Sequence, residues 1–225
     1  MAVMRAQSDS ADHRVEAGAI AATGEDPDPL GHGPPPALQY RMSRNPKRQP
    51  TFTTERLKVR PFRTSDVGVM HALYGDAHNV RFRSIAPTRT REESRRQLRE
   101  HLGYRPNRFA VWAIERRDQR GVVGMINYHR RELRQKRVDV GWLALPTAQG
   151  QGYMTEAMRA LLRHVIDDLG VHKVEAQIMK ANKPSVALAR RLGFRLEGGP
   201  IRDRWLIDGE WRSTMLYGLI AGEER

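Results

Sequence analysis

One stretch limits the folds open to this chain more than any other. Val138 to Leu145 is almost uninterruptedly apolar, the pattern of a strand buried on both faces. It runs through Pro146-Thr147-Ala148-Gln149-Gly150-Gln151-Gly152 into a segment whose apolar residues share one helical stripe: Met154, Ala157, Met158, Leu161, Leu162, Val165 and Ile166. Gly170 ends that helix. This order sets a helix N-terminus, with its unpaired N–H groups and positive dipole end, at the edge of a sheet. Glycines let backbone amides approach an anion with no Cβ in the way, so the expected tenant is a phosphate or diphosphate. The plain alternative is a glycine-rich turn with no ligand. A P-loop needs a Gly-Lys-Ser/Thr ending, which is missing here. A dinucleotide fingerprint needs a third glycine and an early position in a repeated strand–helix fold.

The surrounding pattern supplies the rest of a sheet. Arg56 to Phe62 alternates as a strand with one wet face, and Thr64-Ser65-Asp66 offers N-caps to a short helix through Tyr74. Thr90-Arg91-Glu92-Glu93 is a capping box opening a charged helix to about Leu102. Phe109–Glu115, Val122–His129 and Val138–Leu145 read as three consecutive strands, the last two separated by a basic turn from Arg130 to Arg137. Val171–Met179 is a strand, Pro184–Leu192 a helix stopped by Gly193, and Arg202–Ile207 with Trp211–Leu219 a hairpin across Asp208-Gly209. A strand meander followed by a strand–helix–strand unit implies a mixed α/β sheet.

The chain has 225 residues, a formal charge of +13 and no cysteine. Residues 1–50 mix Gly, Pro, Ala, Asp and Ser without periodicity and read as a disordered tail; Met42 is a candidate true start. Residues 51–221 are the expected domain. No apolar run approaches a membrane span and no signal peptide is legible, so a cytoplasmic protein with no membrane contact is expected. Without cysteine there is no thiolate metal site or Cys nucleophile, and the histidines do not fall at ligand spacings, so no metal is expected. The positive charge favours anionic partners, among them RNA, the ribosome or a phosphorylated coenzyme, unless it merely follows base composition.

Taken together, these segments resemble the GNAT superfamily of acetyl-CoA-dependent N-acetyltransferases, in its RimJ/RimL-like branch. The resemblance rests on Thr54-Glu55-Arg56-Leu57 through Arg60-Pro61-Phe62 and Asp66; Val140-Gly141-Trp142 through Leu145-Pro146; and Gln149-Gly150-Gln151-Gly152-Tyr153-Met154-Thr155-Glu156-Ala157. Asn182 with Ser185, Leu192-Gly193-Phe194 and Glu197-Gly198 complete it. It implies a GNAT-like α/β fold: a mixed, mostly antiparallel sheet with a splayed central strand pair flanked by helices. It further implies acetyl-CoA as acyl donor and a primary amine as acceptor, either a protein N-terminus of the ribosomal-protein kind or a small molecule. A non-catalytic RNA- or ribosome-binding protein on the same fold is the reading from another class. The oligomeric state stays open between monomer and homodimer.

By the same resemblance, Gln151, Gly152, Tyr153 and Met154 would donate amides to the coenzyme pyrophosphate, with Gln149 and Gly150 shaping the turn. The pantetheine arm would enter between the splayed strands, and a backbone N–H near Leu143 or Leu145 would polarise the thioester carbonyl. Asn182 would bond the pantetheine, or serve only as an N-cap. Ser185 would protonate the leaving thiolate, or serve only in capping. Asp139 and Glu175, on the central strands, are the candidate general bases; the plain reading of each is a salt bridge to nearby arginine. One departure stands out. The segment Gly199 to Trp205 carries no glutamate where RimL-type enzymes have one, and Asp203 is the nearest acid.

Overall fold

A computed structural model describes residues 48–119, 121–207 and 209–223. The tail and Met42 lie outside these residues, apart from Arg48, Gln49 and Pro50. Gln49 Nε2 donates to Val111 O at 2.6 Å and Trp112 Nε1 to Pro50 O at 2.8 Å, so the folded part takes in the chain from Gln49 onward.

In chain order the elements are β1 (Phe52–Thr53), β2 (Leu57–Pro61), α1 (Val67–Tyr74), α2 (Ala77–Val80), α3 (Arg91–His101), β3 (Ala110–Arg116), β4 (Val122–Glu132), β5 (Arg137–Ala144), α4 (Tyr153–Arg163), β6 (Lys173–Ile178), α5 (Lys183–Arg191), β7 (Arg195–Ile207) and β8 (Glu210–Ile220). The strands form one sheet in the order β1-β2-β3-β4-β5-β6-β8-β7. Every pairing is antiparallel except β5 with β6, which the α4 crossover makes parallel.

Local chemistry accounts for most boundaries. Thr90 Oγ1 accepts from Glu93 N at 3.1 Å while Glu93 Oε2 accepts from Thr90 N at 3.4 Å, the reciprocal cap that starts α3. Asp66 stands at the N-cap position of α1 as expected, but its carboxylate accepts from Arg63 N at 2.8 Å rather than from an α1 amide. The same carboxylate takes both terminal nitrogens of the buried Arg60, at 2.8 and 3.1 Å, while Arg60 Nε reaches Glu115 at 2.7 Å. Beyond Arg163, α4 continues as a π-helical turn over His164–Asp168 before Gly170 reverses the chain at φ 63°. The C-terminal hairpin is much longer than its apolar pattern suggested, because β7 is an edge strand with few buried residues and therefore little alternation to read.

Two cores lie on the two sheet faces. One packs Trp112, Ile126, Tyr128, Val138, Val140 and Val174 under α4 and α5, through Ala157, Met158, Leu161 and Leu188. The other packs Val111, Ala113, Met125 and Leu143 under Met70, Leu73, Tyr74 and Leu98 of α1 and α3.

The feature that positions a site is where β5 and β6 part. They pair only over Arg137–Asp139 and Lys173–Glu175, yet β5 continues to Ala144 and β6 to Ile178. From Val140 onward the two strands diverge, leaving a cleft through the sheet. The mouth of that cleft on the α4 face lies beside the loop that opens α4.

Candidate active site

The loop has the expected construction. Gly150 and Gly152 adopt left-handed backbone, φ 75° and 78°, which only glycine takes without strain. Glu156 N is the first amide of α4 to find a backbone carbonyl, on Gly152 at 3.1 Å. Those of Gly150, Gln151, Gly152, Tyr153, Met154 and Thr155 have no backbone acceptor among the described residues. Six consecutive donors without a backbone acceptor at a helix N-terminus are the arrangement that can hold an anion. Within the turn Gln149 donates its amide to Pro146 O at 3.3 Å, and Gln151 Nε2 donates to Thr147 O at 2.8 Å.

Sequence reading missed what braces this loop. The Arg56 guanidinium donates to Gln151 O at 3.0 Å and to Glu156 Oε2 at 2.7 Å, and lies 4.8 Å from the centre of the Tyr153 ring. Arg116 approaches the same ring at 5.5 Å. Glu156 also accepts from Arg56 N at 2.8 Å and from Thr54 Oγ1 at 2.5 Å. Burial pushes the Glu156 carboxyl upward, but these donors more than offset it and hold the group below its usual range. The signal was present only as residues of the resemblance. Nothing in the spacing links Arg56 to Gln151, which are separated by nearly half the chain.

In the cleft, one expected donor is already used. Leu145 N donates to Val123 O at 2.9 Å, so it is not free for a thioester carbonyl. Alternate residues of a strand direct their amides to opposite neighbours, so Leu143 shares that orientation toward β4. Trp142 and Ala144 instead direct theirs into the cleft. Consistent with this, the Trp142 carbonyl is not spent on β4 and accepts from Arg83 Nη1 at 3.4 Å.

The other predicted residues gather around the same cleft. Ser185 Oγ accepts from Trp142 Nε1 at 3.1 Å, a bridge from β5 to α5 across the gap. Asn182 Oδ1 accepts from Ser185 N at 3.3 Å and so caps α5. Asp139 and Glu175 are neighbours in the last paired register of β5 and β6. Both carry the ion pairs expected as their plain reading. Asp139 is bound by Arg130, and Glu175 lies 3.6 Å from both Arg137 Nη1 and Lys173 Nζ. Burial raises the Asp139 pKa above the ordinary carboxylate value, against the pull of Arg130, Arg137 and Arg204. Arg204 reaches over this face from β7 to bond Gln177 Oε1 at 2.9 Å. Asp203, by contrast, is exposed on β7. Of the tryptophans, Trp112 is core, Trp142 lines the cleft and Trp211 is largely exposed. The basic turn is not a free patch either. Arg131 bonds the carbonyls of Pro106 and Leu169, both at 2.8 Å, while Arg130 and Arg137 hold the two acids.

Residues 56–195 match the acetyltransferase (GNAT) domain family. The chain belongs to the GNAT N-acetyltransferases. It is 23% identical to YoaA of Bacillus subtilis, an uncharacterized N-acetyltransferase, over 78% of this chain and 99% of that one. Over a shorter stretch, 32% of this chain and 37% of the other, it is 42% identical to the ribosomal protein uS5-alanine N-acetyltransferase of Escherichia coli. In fold it superposes on a Vibrio cholerae spermidine N-acetyltransferase in complex with CoA and spermine, with TM-score 0.66, 16% identity, and 76% and 98% of the two chains covered. The GNAT fold expected from sequence is the fold observed. No helix among the described residues is long and apolar enough to cross a membrane.

Proposed function

We propose that this acetyltransferase moves acetyl from acetyl-CoA to a primary amine, a protein N-terminus of the ribosomal-protein kind, by direct attack in a ternary complex. The observation that carries this reading is the run of unpaired amides from Gly150 to Thr155, opening onto the cleft where β5 leaves β6. A diphosphate suits the amides, and an extended, amide-bearing arm suits strand edges that have lost their partners.

In this reading Gln151, Gly152, Tyr153 and Met154 donate to the pyrophosphate, with Gln149 and Gly150 holding the turn. The amides of Trp142 and Ala144 take the roles first expected of Leu143 and Leu145, toward the pantetheine and the thioester oxygen. Asn182 keeps its NH2 group for the pantetheine while its oxygen caps α5. An indole N–H is donor-only, so Ser185 must accept from Trp142 and keeps its own hydrogen for another acceptor. That orientation suits delivery of a proton to the departing thiolate. The attacking nitrogen must lose a proton as the C–N bond forms and the C–S bond breaks. Asp139, raised in pKa by burial, is the better placed acceptor for it, through water. Glu175, between two cations, is assigned to structure.

Thiol release from acetyl-CoA, measured against peptides with free N-termini, polyamines, aminoglycosides and amino acids, tests the proposal. Release with peptides is expected. Polyamines are disfavoured, because Arg83, Arg130 and Arg204 crowd the acceptor face with positive charge. No turnover with any acceptor, together with tight salt-sensitive RNA binding, would favour the non-catalytic reading.

A further inference from the structure

Two buried polar atoms beside the cleft have no partner among the described residues: Asn127 Oδ1 and Arg83 Nε. Buried polar groups left unpaired are uncommon in folded chains and costly to maintain. Both sit against consecutive residues of β5. Asn127 is the register partner of Gly141, and a Cβ built on Gly141 would come 2.8 Å from Asn127 Oδ1. The missing side chain of Gly141 is what lets that oxygen pack against the β5 backbone. Asn127 is oriented by His129, whose Nδ1 lies 2.9 Å from Asn127 Nδ2. The amide therefore gives its NH2 group to the histidine and turns its oxygen toward Gly141. Arg83 arrives from the segment after α2, lies 5.5 Å from the Tyr74 ring centre and places Nη1 3.4 Å from Trp142 O.

The result is one unpaired acceptor and one unpaired cationic donor flanking Gly141 and Trp142, on the face opposite α4, where β5 leaves β6. A ligand that satisfies both must present an N–H to Asn127 Oδ1 and an oxygen to Arg83 Nε. An α-aminoacyl group does so, with its amine and its carbonyl oxygen three bonds apart. A lysine side chain or a polyamine offers the N–H alone.

We infer that Asn127 and Arg83 form the acceptor subsite. Asn127 Oδ1 takes one N–H of the attacking amine, and Arg83 Nε–H takes the oxygen of the acceptor's first carbonyl. The subsite thereby selects an α-amine next to a carbonyl. This assignment rests on the proposed transfer to a primary amine and specifies which amine. The hydrogen bookkeeping is consistent. A neutral amine keeps one N–H on Asn127, attacks with its lone pair and gives its other hydrogen to the base, so the product amide retains the Asn127 bond. Asn127 and Arg83 would act on binding and orientation, and the thioester chemistry stays with the groups across the cleft.

The test compares α-amino amides of several residues with amines of the same shape that lack the carbonyl. Each is measured both by thiol release from acetyl-CoA and by equilibrium binding to the full chain, with and without coenzyme A. The wild-type protein should prefer the amino amide by roughly 10- to 100-fold, the range expected for one hydrogen bond to a charged donor. Arg83→Gln should collapse that preference toward unity while coenzyme A binds as before. Arg83→Lys, which keeps the charge but loses the Nε donor, should restore little of it. Asn127→Leu should weaken both ligands. Circular dichroism checks that each variant folds. Equal binding of amide and amine by wild type, a preference that survives Arg83→Gln, or no binding of either ligand overturns the inference. Thiol release with no preference sinks the subsite and leaves the transferase reading standing. A preference seen in binding without any thiol release does the reverse.

Discussion

Replacing Gly152 with alanine separates the cradle from a plain turn. Gly152 is the N-cap of α4, at φ 78° and ψ −4°. An L-residue in that left-handed conformation costs roughly 1–2 kcal/mol. The new Cβ would stand 3.3 Å from Arg56 Nη2, the end of a side chain that also holds Gln151 and Glu156. Moving that guanidinium costs about half of a surface ion pair, a few tenths of a kcal/mol. For a domain of this size, about 2–4 °C is lost per kcal/mol, so thermal melting should drop by about 3–8 °C. Gly150→Ala carries the same backbone cost but meets nothing within 4 Å, so its drop should be smaller. The effect on coenzyme A is larger than either. Relaxing the backbone turns the Gly152 peptide plane and loses one or two hydrogen bonds to a charged ligand, at about 1.5–3 kcal/mol each. That corresponds to an affinity loss of roughly 10- to 100-fold or more. Gly152→Glu adds a carboxylate at the anion position and should abolish binding. Titration calorimetry with coenzyme A and a melting curve on each variant give both numbers. If Gly152→Ala melts lower but binds coenzyme A as tightly as wild type, or if Gly152→Glu still binds, the loop is not the diphosphate cradle.

Three further outcomes are expected. Arg60→Met strands the buried Asp66 carboxylate and should lower unfolding free energy in urea by about 3–5 kcal/mol, whereas adding Asp66→Leu should recover most of it; no recovery would mean that packing, rather than the orphaned charge, sets the cost. His101 and His129 are each pushed down to about 4, by burial first and then by nearby arginine, so the unfolded chain takes up protons near 6.5 that the folded chain refuses. Stability should be full above pH 6.5 and fall as pH drops toward 4, by at most roughly 3 to 3.5 kcal/mol per histidine, and denaturant midpoints that stay flat across that window would refute the burial of both rings. Ser185→Ala should lower kcat about 100-fold with coenzyme affinity nearly unchanged, and an unaltered kcat would remove Ser185 from the proton path.

How much was legible in advance varied with the range of the interaction. The α3 capping box, the Gly150 and Gly152 turn, the apolar β5 and the α4 stripe are local patterns, written in residues a few positions apart, and each was found where it was read. The short α2 went unread because four residues make one turn and no periodicity. The length of β7 went unread because an edge strand buries little. Within the site, the arginine ion pairs of Asp139 and Glu175 and the capping role of Asn182 follow the plain reading of each residue, whereas the Trp142–Ser185 bond had no sequence signal. Nor had the bracing of the loop by Arg56, or the use of the Leu145 amide by Val123.

By itself the sequence determined that a buried strand feeds a glycine turn and an amphipathic helix, that the sheet is mixed, and, through resemblance, that the chain is a GNAT acetyltransferase. Those conclusions need only side-chain period, backbone permissiveness and order along the chain. The tertiary structure alone decided which amides face the cleft, which cations the acids hold, and that Asn127 Oδ1 and Arg83 Nε are buried without a partner beside Gly141 and Trp142. The physical reason is that a hydrogen bond is satisfied or orphaned by groups brought together across the sheet. Residues tens of positions apart in sequence settle it, and no local pattern records their meeting.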